Sequence, residues 1–278
     1  MSSAQARVIA TAELLEAILA QLPPRYLLLA QRISHRFQHA IATSPRLQQL
    51  LFFRTAPTKD PKQWSLNPIL RGVFVPWFVM PGNRWAMPTY ESLEILNHFN
   101  DAAKADAILT REASWRQMPL VRPSPKALTV VKILYSRGYT SADVANLSFE
   151  HSPSGGVTMG AIYDITESFL RESFFSSFSL SILDSESGPQ ITLYLHCSVQ
   201  CCRQSETTRK RDLRSRDAEV LVWDLDFVRG RDEDGGGRYF DGNPPTDLSV
   251  ERGGVNFEEF QAWQRERAPI SSMVSDVR

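Results

Sequence analysis

Thr11 to Phe53 reads TAELLEAILAQLPPRYLLLAQRISHRFQHAIATSPRLQQLLFF. Its apolar spacing predicts a compact run of short helices. Leu14, Leu15, Ile18, Leu19 and Leu22 fall at i, i+1, i+4, i+5 and i+8, which is one face of a helix. Thr11 stands at the capping position, and Glu13 places a negative charge near the positive helix end. Pro23-Pro24 stops this helix because proline lacks the amide hydrogen a helix interior needs, and Pro24 suits the opening of the next. Tyr26, Leu29, Ala30 and Ile33 repeat at i, i+3, i+4 and i+7, and Leu27 and Leu28 widen that helix beyond one apolar stripe. Ile33, Phe37, Ala40 and Ile41 continue after a bend near Ser34. Ser44-Pro45 is a cap followed by a proline at the first helical position, and Leu47, Leu50 and Leu51 give the fourth helix its face.

Burying one Leu or Ile contributes about 1.5–3 kcal/mol, whereas ordering one residue's backbone costs about 1–2 kcal/mol. A unit of this size is therefore marginal alone. Its surplus apolar surface is expected to dock on the rest of the chain, on another protein, or on both.

Two runs, Leu22-Pro23-Pro24-Arg25-Tyr26-Leu27-Leu28 and Ala30-Gln31-Arg32-Ile33-Ser34, are followed by Ile41, Ser44-Pro45, Leu47-Gln48 and Leu51-Phe52. This order resembles the F-box motif, most closely in the F-box proteins abundant in filamentous fungi. There L-P-P-R-D-L-L-x-A-Q-R-V-S is commonly followed by I-x-x-S-P-x-L-Q-x-x-L-F. Asn67-Pro68-Ile69-Leu70 and Ala113-Ser114-Trp115-Arg116-Gln117-Met118 are similar to the N-P-L-L and A-S-W-R-x-M segments of the same proteins. The chain departs from the pattern at Thr11-Ala12, where Leu-Pro is usual, at Tyr26, where an acid is usual, and at Phe37, where a late Trp is usual.

The resemblance implies an all-helical F-box over residues 8–53. Such a domain docks on a Skp-family adaptor and through it on a cullin–RING ubiquitin ligase, while the rest of the chain presents a protein target. The implied protein is not an enzyme and has no cofactor. It acts by placement, raising the effective concentration of a target lysine beside a charged conjugating enzyme. The implied adaptor contacts are Leu14, Leu15, Ile18, Leu19, Leu22, Pro23, Leu27 and Leu28, with Ile33, Phe37 and Ile41 closing the helical core. The alternative is an F-box-like scaffold working outside a ligase.

Composition narrows the classes further. The 278 residues are 42% hydrophobic, with 31 basic and 31 acidic side chains. That is a globular composition, and zero formal charge argues against a general nucleic-acid or anionic-membrane binder. No apolar run approaches the ~18 residues of a membrane span. The first residues lack the apolar core of a signal peptide. Three cysteines, all between 197 and 202, do not make a disulfide framework. Cytoplasm or nucleus is the expected compartment.

Residues 54–88 hold six of the 17 prolines and three of the six tryptophans, Trp64, Trp77 and Trp85. This predicts an extended connector. Its tryptophans either form a groove for a target peptide or pack on the core of the next domain. Residues 89–267 read as a mixed α+β domain with a mainly antiparallel sheet, followed by a flexible tail over 268–278. Thr89 to about Thr110 predicts a helix with Leu93, Leu96 and Phe99 inward, and Arg111 to Met118 a short turn. Leu128 to Tyr135 is β-branched and predicts a strand. Ser148-Phe149-Glu150 reads as a brief strand before a Ser-Pro-Ser-Gly-Gly turn. Thr158 caps a helix from Met159 to about Ser173. Phe178–Leu183 and Gln190–Val199 predict a hairpin, Glu219–Val228 a third long strand, and Val255–Arg267 a helix with Phe257, Phe260 and Trp263 on one side.

Chemistry-bearing patterns are sparse. His35 and His39 stand four apart but lack the glutamate of H-E-x-x-H and a third ligand, so a solvated helix face accounts for them. His196, Cys197, Cys201 and Cys202 lack paired loop ligands, and buried thiols are the plainer reading. Asp224 and Asp226 could hold a divalent metal beside a phosphate, but their alternation with Leu221, Trp223, Leu225 and Phe227 is that of a half-buried strand. There is no phosphate-binding glycine loop and no nucleophile elbow. Arg203–Arg216 has a net charge of +4 and Asp217–Asp234 of −5; the basic stretch, between two expected strands, reads as a polar loop whose Arg209-Lys210-Arg211 could serve nuclear import or dock an acidic target.

Overall fold

The computed structural model describes residues 7, 9–54, 63–80, 87–97, 110, 112–136, 139–150, 155–172, 175–198, 225–226, 228–229, 248 and 251–267. The class is α+β. After helical residues at Arg7, Ile9 and Ala10, the described residues give four short helices: α1 (Ala12–Leu19), α2 (Pro24–Ala30), α3 (His35–Thr43) and α4 (Pro45–Leu50). The hydroxyl of Ser34 accepts from the Phe37 amide and that of Ser44 from the Leu47 amide, so each serine caps the helix after it. Thr11 does not cap; its hydroxyl donates to the Arg7 carbonyl at 3.0 Å. Leu15, Leu19, Leu27, Ala30, Ile41, Leu47 and Leu51 form the shared core of the four helices.

The segment after these helices departs from the expected extended connector. It holds β1 (Ser65–Leu66), α5 (Pro68–Val73) and a 3₁₀ turn, Val75–Phe78. Its prolines open elements: Pro68 starts α5 and Pro76 lies in the first turn of the 3₁₀ segment. Asn67 caps α5, its Oδ1 accepting from the Ile69 and Leu70 amides while its Nδ2 donates to the Pro119 carbonyl. Trp64, Leu66, Leu70, Phe74, Trp77 and Phe78 all lie in the main core. A stretch this rich in aromatics lowers its free energy by burying them, so the described aromatics of 54–88 lie in the core.

Helix α6 spans Tyr90–Asn97 with Leu93 and Leu96 buried; Phe99 and the rest of the expected helix lie outside the described residues. A second 3₁₀ turn, Ser114–Gln117, leads to β2 (Val121–Arg122), which pairs with β1.

Among the described residues the sheet has five strands: β3 (Ala127–Ser136), β4 (Tyr139–Ser148), β5 (Ser176–Ser185), β6 (Gly188–Ser198) and β7 (Val228–Arg229), in the order β5-β6-β3-β4-β7. The β3–β4 and β5–β6 pairs are antiparallel hairpins, and the seam joining them, β3 to β6, is parallel. Strand β4 was legible only at its end, Ser148. Residues Tyr139–Ser148, YTSADVANLS, have weak strand propensity and are held by ten paired positions on β3. Of the expected strand over 219–228, Leu225 and Asp226 are not in a strand, Val228 begins β7, and Asp224 lies outside the described residues.

Helix α7 (Met159–Glu172) connects the two hairpins. Every residue from Met159 to Arg171 is buried, as befits a helix covered on all sides. Ile162, Ile165 and Phe169 belong to one core with Leu128, Val130, Phe178, Leu180, Leu193 and Leu195 of the sheet, and with Trp77 and Trp115 of the 3₁₀ turns. Helix α8 (Phe257–Arg267) adds Phe260 and Trp263 to that core, whereas Phe257, expected inward, is exposed.

Candidate functional site

The N-terminal helices sort their apolar side chains into two sets. Leu15, Leu19 and Leu27 are buried. Leu14 (47% exposed), Ile18 (50%), Tyr26 (60%), Leu29 (47%) and Ile33 (68%) stand in solvent. The large exposed apolar residues elsewhere among the described ones are Phe175, Val228 and Phe257, so most are concentrated within twenty positions of the chain. Leu14 and Ile18 share a face of α1, one row from the inward pair Leu15 and Leu19. Tyr26 and Leu29 share a face of α2, and Ile33 follows in the turn after it. Isolated exposed apolar residues need no explanation; five within twenty positions of the chain make these helices the candidate interaction surface.

This sorting corrects the sequence reading at named positions. Of the expected adaptor contacts, Leu14 and Ile18 are exposed and Pro23 is also in solvent; Leu22 is half-buried. Leu15, Leu19 and Leu27 are inside the helical core, because the small unit must turn one of its two adjacent leucine rows inward to have a core at all. Leu28 packs against both the helical core and the main core. Ile33, expected to close the core, is the most exposed of the set. The apolar face of α2 is thus rotated from the one read from Tyr26, Leu29, Ala30 and Ile33: Ala30 faces in as read, but with Leu27, while Tyr26 and Leu29 face out. A seven-residue helix carrying apolar side chains on both faces has no periodic signal that selects one.

The helices are fastened to the body of the protein. The Arg122 guanidinium donates to the Gln49 carbonyl and sits 3.9 Å from the centre of the Phe52 ring. Burial lowers the Arg122 pKa from its ordinary value. Phe52 has a φ of 60°, a left-handed conformation uncommon outside glycine. Leu28, Phe53 and Ile69 pack between the two cores.

The tryptophans considered for target binding are placed differently. Trp77 is fully buried and its indole donates to the Thr166 hydroxyl at 3.1 Å. Trp64 is buried beneath Arg252, and its indole donates to Asp184, whose carboxylate also receives both Arg252 nitrogens at 3.0 and 2.8 Å. Both follow the core-packing reading. Trp85 lies outside the described residues.

Two buried polar clusters escaped the sequence reading. On α7, Asp164 accepts two bonds from one Arg116 nitrogen at 2.8 and 2.9 Å, and Glu167 accepts from Arg171 at 2.6 Å and from the Tyr163 hydroxyl at 3.5 Å. Burial and then Glu167 raise the Tyr163 pKa well above the ordinary range, so the phenol stays a donor. These groups neutralise one another and clamp the Ser114–Gln117 turn onto α7.

On the sheet face turned away from α7, His196 lies between Tyr135 and Tyr194, near-parallel to both rings. Its Nδ1 is 3.2 Å from the Tyr135 hydroxyl and its Nε2 3.4 Å from the Ser179 hydroxyl. Desolvation lowers its pKa to about 4. A Ser–His contact can activate a nucleophile, but both side chains here are buried, and the neutral imidazole serves as a bridge between hydroxyls. Cys197 points to the opposite face and packs on the main core. The pairing of Tyr135 with the strand of His196, 61 positions away, leaves no local signal.

His35, His39 and Asp226 are exposed. Among the described residues no group of three His, Cys, Asp or Glu side chains could hold a metal ion, and no helix is long and apolar enough to cross a membrane. Cys201, Cys202 and the charged stretches over 203–216 and 217–224 lie outside the described residues. No family model, curated protein or solved structure matches this chain.

Proposed function

We propose that the chain is a non-catalytic F-box substrate receptor of an SCF-type cullin–RING ubiquitin ligase, working in the cytoplasm or nucleus. The N-terminal helices bind a Skp-family adaptor, and the α+β body recruits a protein target. The observation that supports this reading best is the set of exposed apolar side chains, Leu14, Ile18, Tyr26, Leu29 and Ile33, on helices that already own a closed core. A unit needing apolar residues only for folding would turn these inward; leaving them in solvent fits a surface that a second protein covers. The motif likeness begins between these residues, at Leu22, and includes Ile33.

The test uses outward residues, since an aspartate at Leu19 would break the helical core. Purified chain is expected to bind a Skp-family adaptor, and Leu14→Asp with Ile18→Asp and Leu29→Asp to weaken binding at least about a hundredfold, as loss of central apolar anchors does, with an unchanged circular dichroism spectrum. Equal binding by the folded variant would refute the assignment. A second reading, an F-box-like scaffold outside a ligase, is favoured by Tyr26, an exposed aromatic where the motif usually has an acid. Capture of adaptor without cullin would select it.

A further inference from the structure

Arg252 occupies a site built by residues far from it in the chain. Trp64 stands just before β1, Asp184 near the end of β5, and Arg252 in the turn before α8. The indole N–H of Trp64 donates to Asp184 Oδ1 and holds the carboxylate. Nη1 and Nη2 of Arg252 donate to Oδ1 at 3.0 Å and to Oδ2 at 2.8 Å, the two-pronged match of a planar guanidinium with a carboxylate. The guanidinium carbon lies 4.9 Å from the centre of the Trp64 ring, within reach of a cation–π attraction. The side chains of Arg252 and Asp184 are 40% and 44% exposed, so the site opens to solvent. Arg116 makes a similar arrangement with Asp164 and Trp115, but its side chain and that of Asp164 are 8% and 0% exposed, and the core seals it.

The segment that carries Arg252 is fastened without it. The Val255 amide donates to the Phe78 carbonyl at 2.8 Å, and the Val255 carbonyl accepts from the Met80 amide at 2.9 Å. Arg71 donates to the Gly253 carbonyl and pairs with Glu259, and Phe260 and Trp263 are buried. A solvent-open ion pair adds little to such a set of contacts. We propose that Trp64 and Asp184 form a recognition site for an arginine side chain of a second protein, and that Arg252 fills this site in cis. An indole face beside a carboxylate held by the same indole selects a guanidinium, which is flat, carries a fork of donors and is more weakly hydrated than an ammonium. The tether gives Arg252 a high effective concentration, so it excludes a free arginine but yields to a partner segment that adds contacts of its own. On the receptor reading above that partner is the target; the site itself involves no adaptor.

The experiment follows the tryptophan indole N–H resonances of the full chain, wild type and Arg252→Gln, while an end-blocked Gly-Arg-Gly peptide is added, with Gly-Lys-Gly as its counterpart. The resonance that differs between the two proteins reports Trp64, which lies under Arg252. Arg252→Gln is expected to keep its circular dichroism spectrum and to show a saturable shift of that resonance with the arginine peptide, at least about tenfold weaker with the lysine peptide. The wild type should need about tenfold more peptide or beyond, because Arg252 competes for the site. Asp184→Asn combined with Arg252→Gln should give no response. No saturable shift in the folded single variant overturns the inference, and so does an equal response to the two peptides or an equal titration of wild type and variant. Indole resonances identical in the two proteins overturn it as well, since Arg252 would then not cover Trp64. Loss of the fold in Arg252→Gln would make the pair a structural strut and overturn it too. No adaptor is present, so each of these outcomes leaves the receptor reading to its own test with the Leu14, Ile18 and Leu29 variant.

Discussion

His196 is neutral because the fold has removed water from around it. Its pKa of about 4 in the folded chain lies below the ordinary 6.5, so the unfolded chain binds the proton more readily. The contribution to stability is therefore fully present above about pH 6.5, falls as pH drops towards 4, and is lost below that. The difference amounts to at most about 3 kcal/mol. Urea midpoints measured from pH 7 to 4 should decline more steeply for the wild type than for His196→Gln; identical slopes would show that the ring is not desolvated in the way its neighbours imply. At this scale the sequence was legible where chemistry is local. Ser44-Pro45 opening α4 and Thr158 before α7 follow from what each side chain does to its own backbone, whereas in the sequence Ser34 reads as a bend and Pro68 as part of an extended connector. Leu27 against Leu29 was not legible, because both are leucine and only the neighbouring helices distinguish them.

Among the elements, α7 shows how little room the core leaves. A Cβ built on Gly160 would lie 2.7 Å from the Arg116 carbonyl oxygen and 2.9 Å from the Arg116 Cβ. Gly160→Ala is expected to destabilise the protein by about 1–3 kcal/mol, outweighing alanine's advantage of ~1 kcal/mol in a helix. Gly72 in α5 has nothing within 4 Å of such a Cβ. Gly72→Ala should then be neutral or stabilising by up to about 1 kcal/mol. Thermal unfolding of the two variants side by side checks both; equal shifts would mean that the contact with Arg116 relaxes freely. Helix α7 and the β5–β6 hairpin were readable from periodicity, since each meets a continuous apolar surface. Strand β4 was not: its alanines and polar residues take strand form from β3, and nothing inside the ten residues records the partner.

For the whole molecule, the decisive joint is Arg122 on Gln49 and Phe52. A part-buried hydrogen bond from a charged donor contributes at most about 1.5–3 kcal/mol, and a cation over an aromatic ring ~0.5–2 kcal/mol. Arg122→Ala should lower amide-exchange protection across residues 12–50 by about 1–3 kcal/mol while the β3–β6 ladder keeps its protection. A uniform fall across the chain would mean that the helices and the body unfold as one. The two-part plan, short helices and then an α+β body, could be read from spacing and composition. The joint could not, because its partners stand 73 positions apart (49 and 122) and an arginine before a proline carries no mark of its contact. Residues 54–88 misled for the opposite reason: many prolines and tryptophans look like a linker until the surface they bury is counted.

The parallel seam between β3 and β6 governs the order in which the chain can assemble. The β3–β4 and β5–β6 hairpins each close over short turns, but Leu128 must wait for Ile191, 63 positions later, and such distant pairings form slowly. The N-terminal helices are complete long before that residue leaves the ribosome. In the interval one edge of β3, with its apolar ALTVVKILYS, has no neighbour, and an open edge of this kind pairs readily with a second chain. The crossover through α7 therefore does more than fill the core. By bringing β6 back alongside β3, it closes the edge on which a newly made chain is most exposed to aggregation.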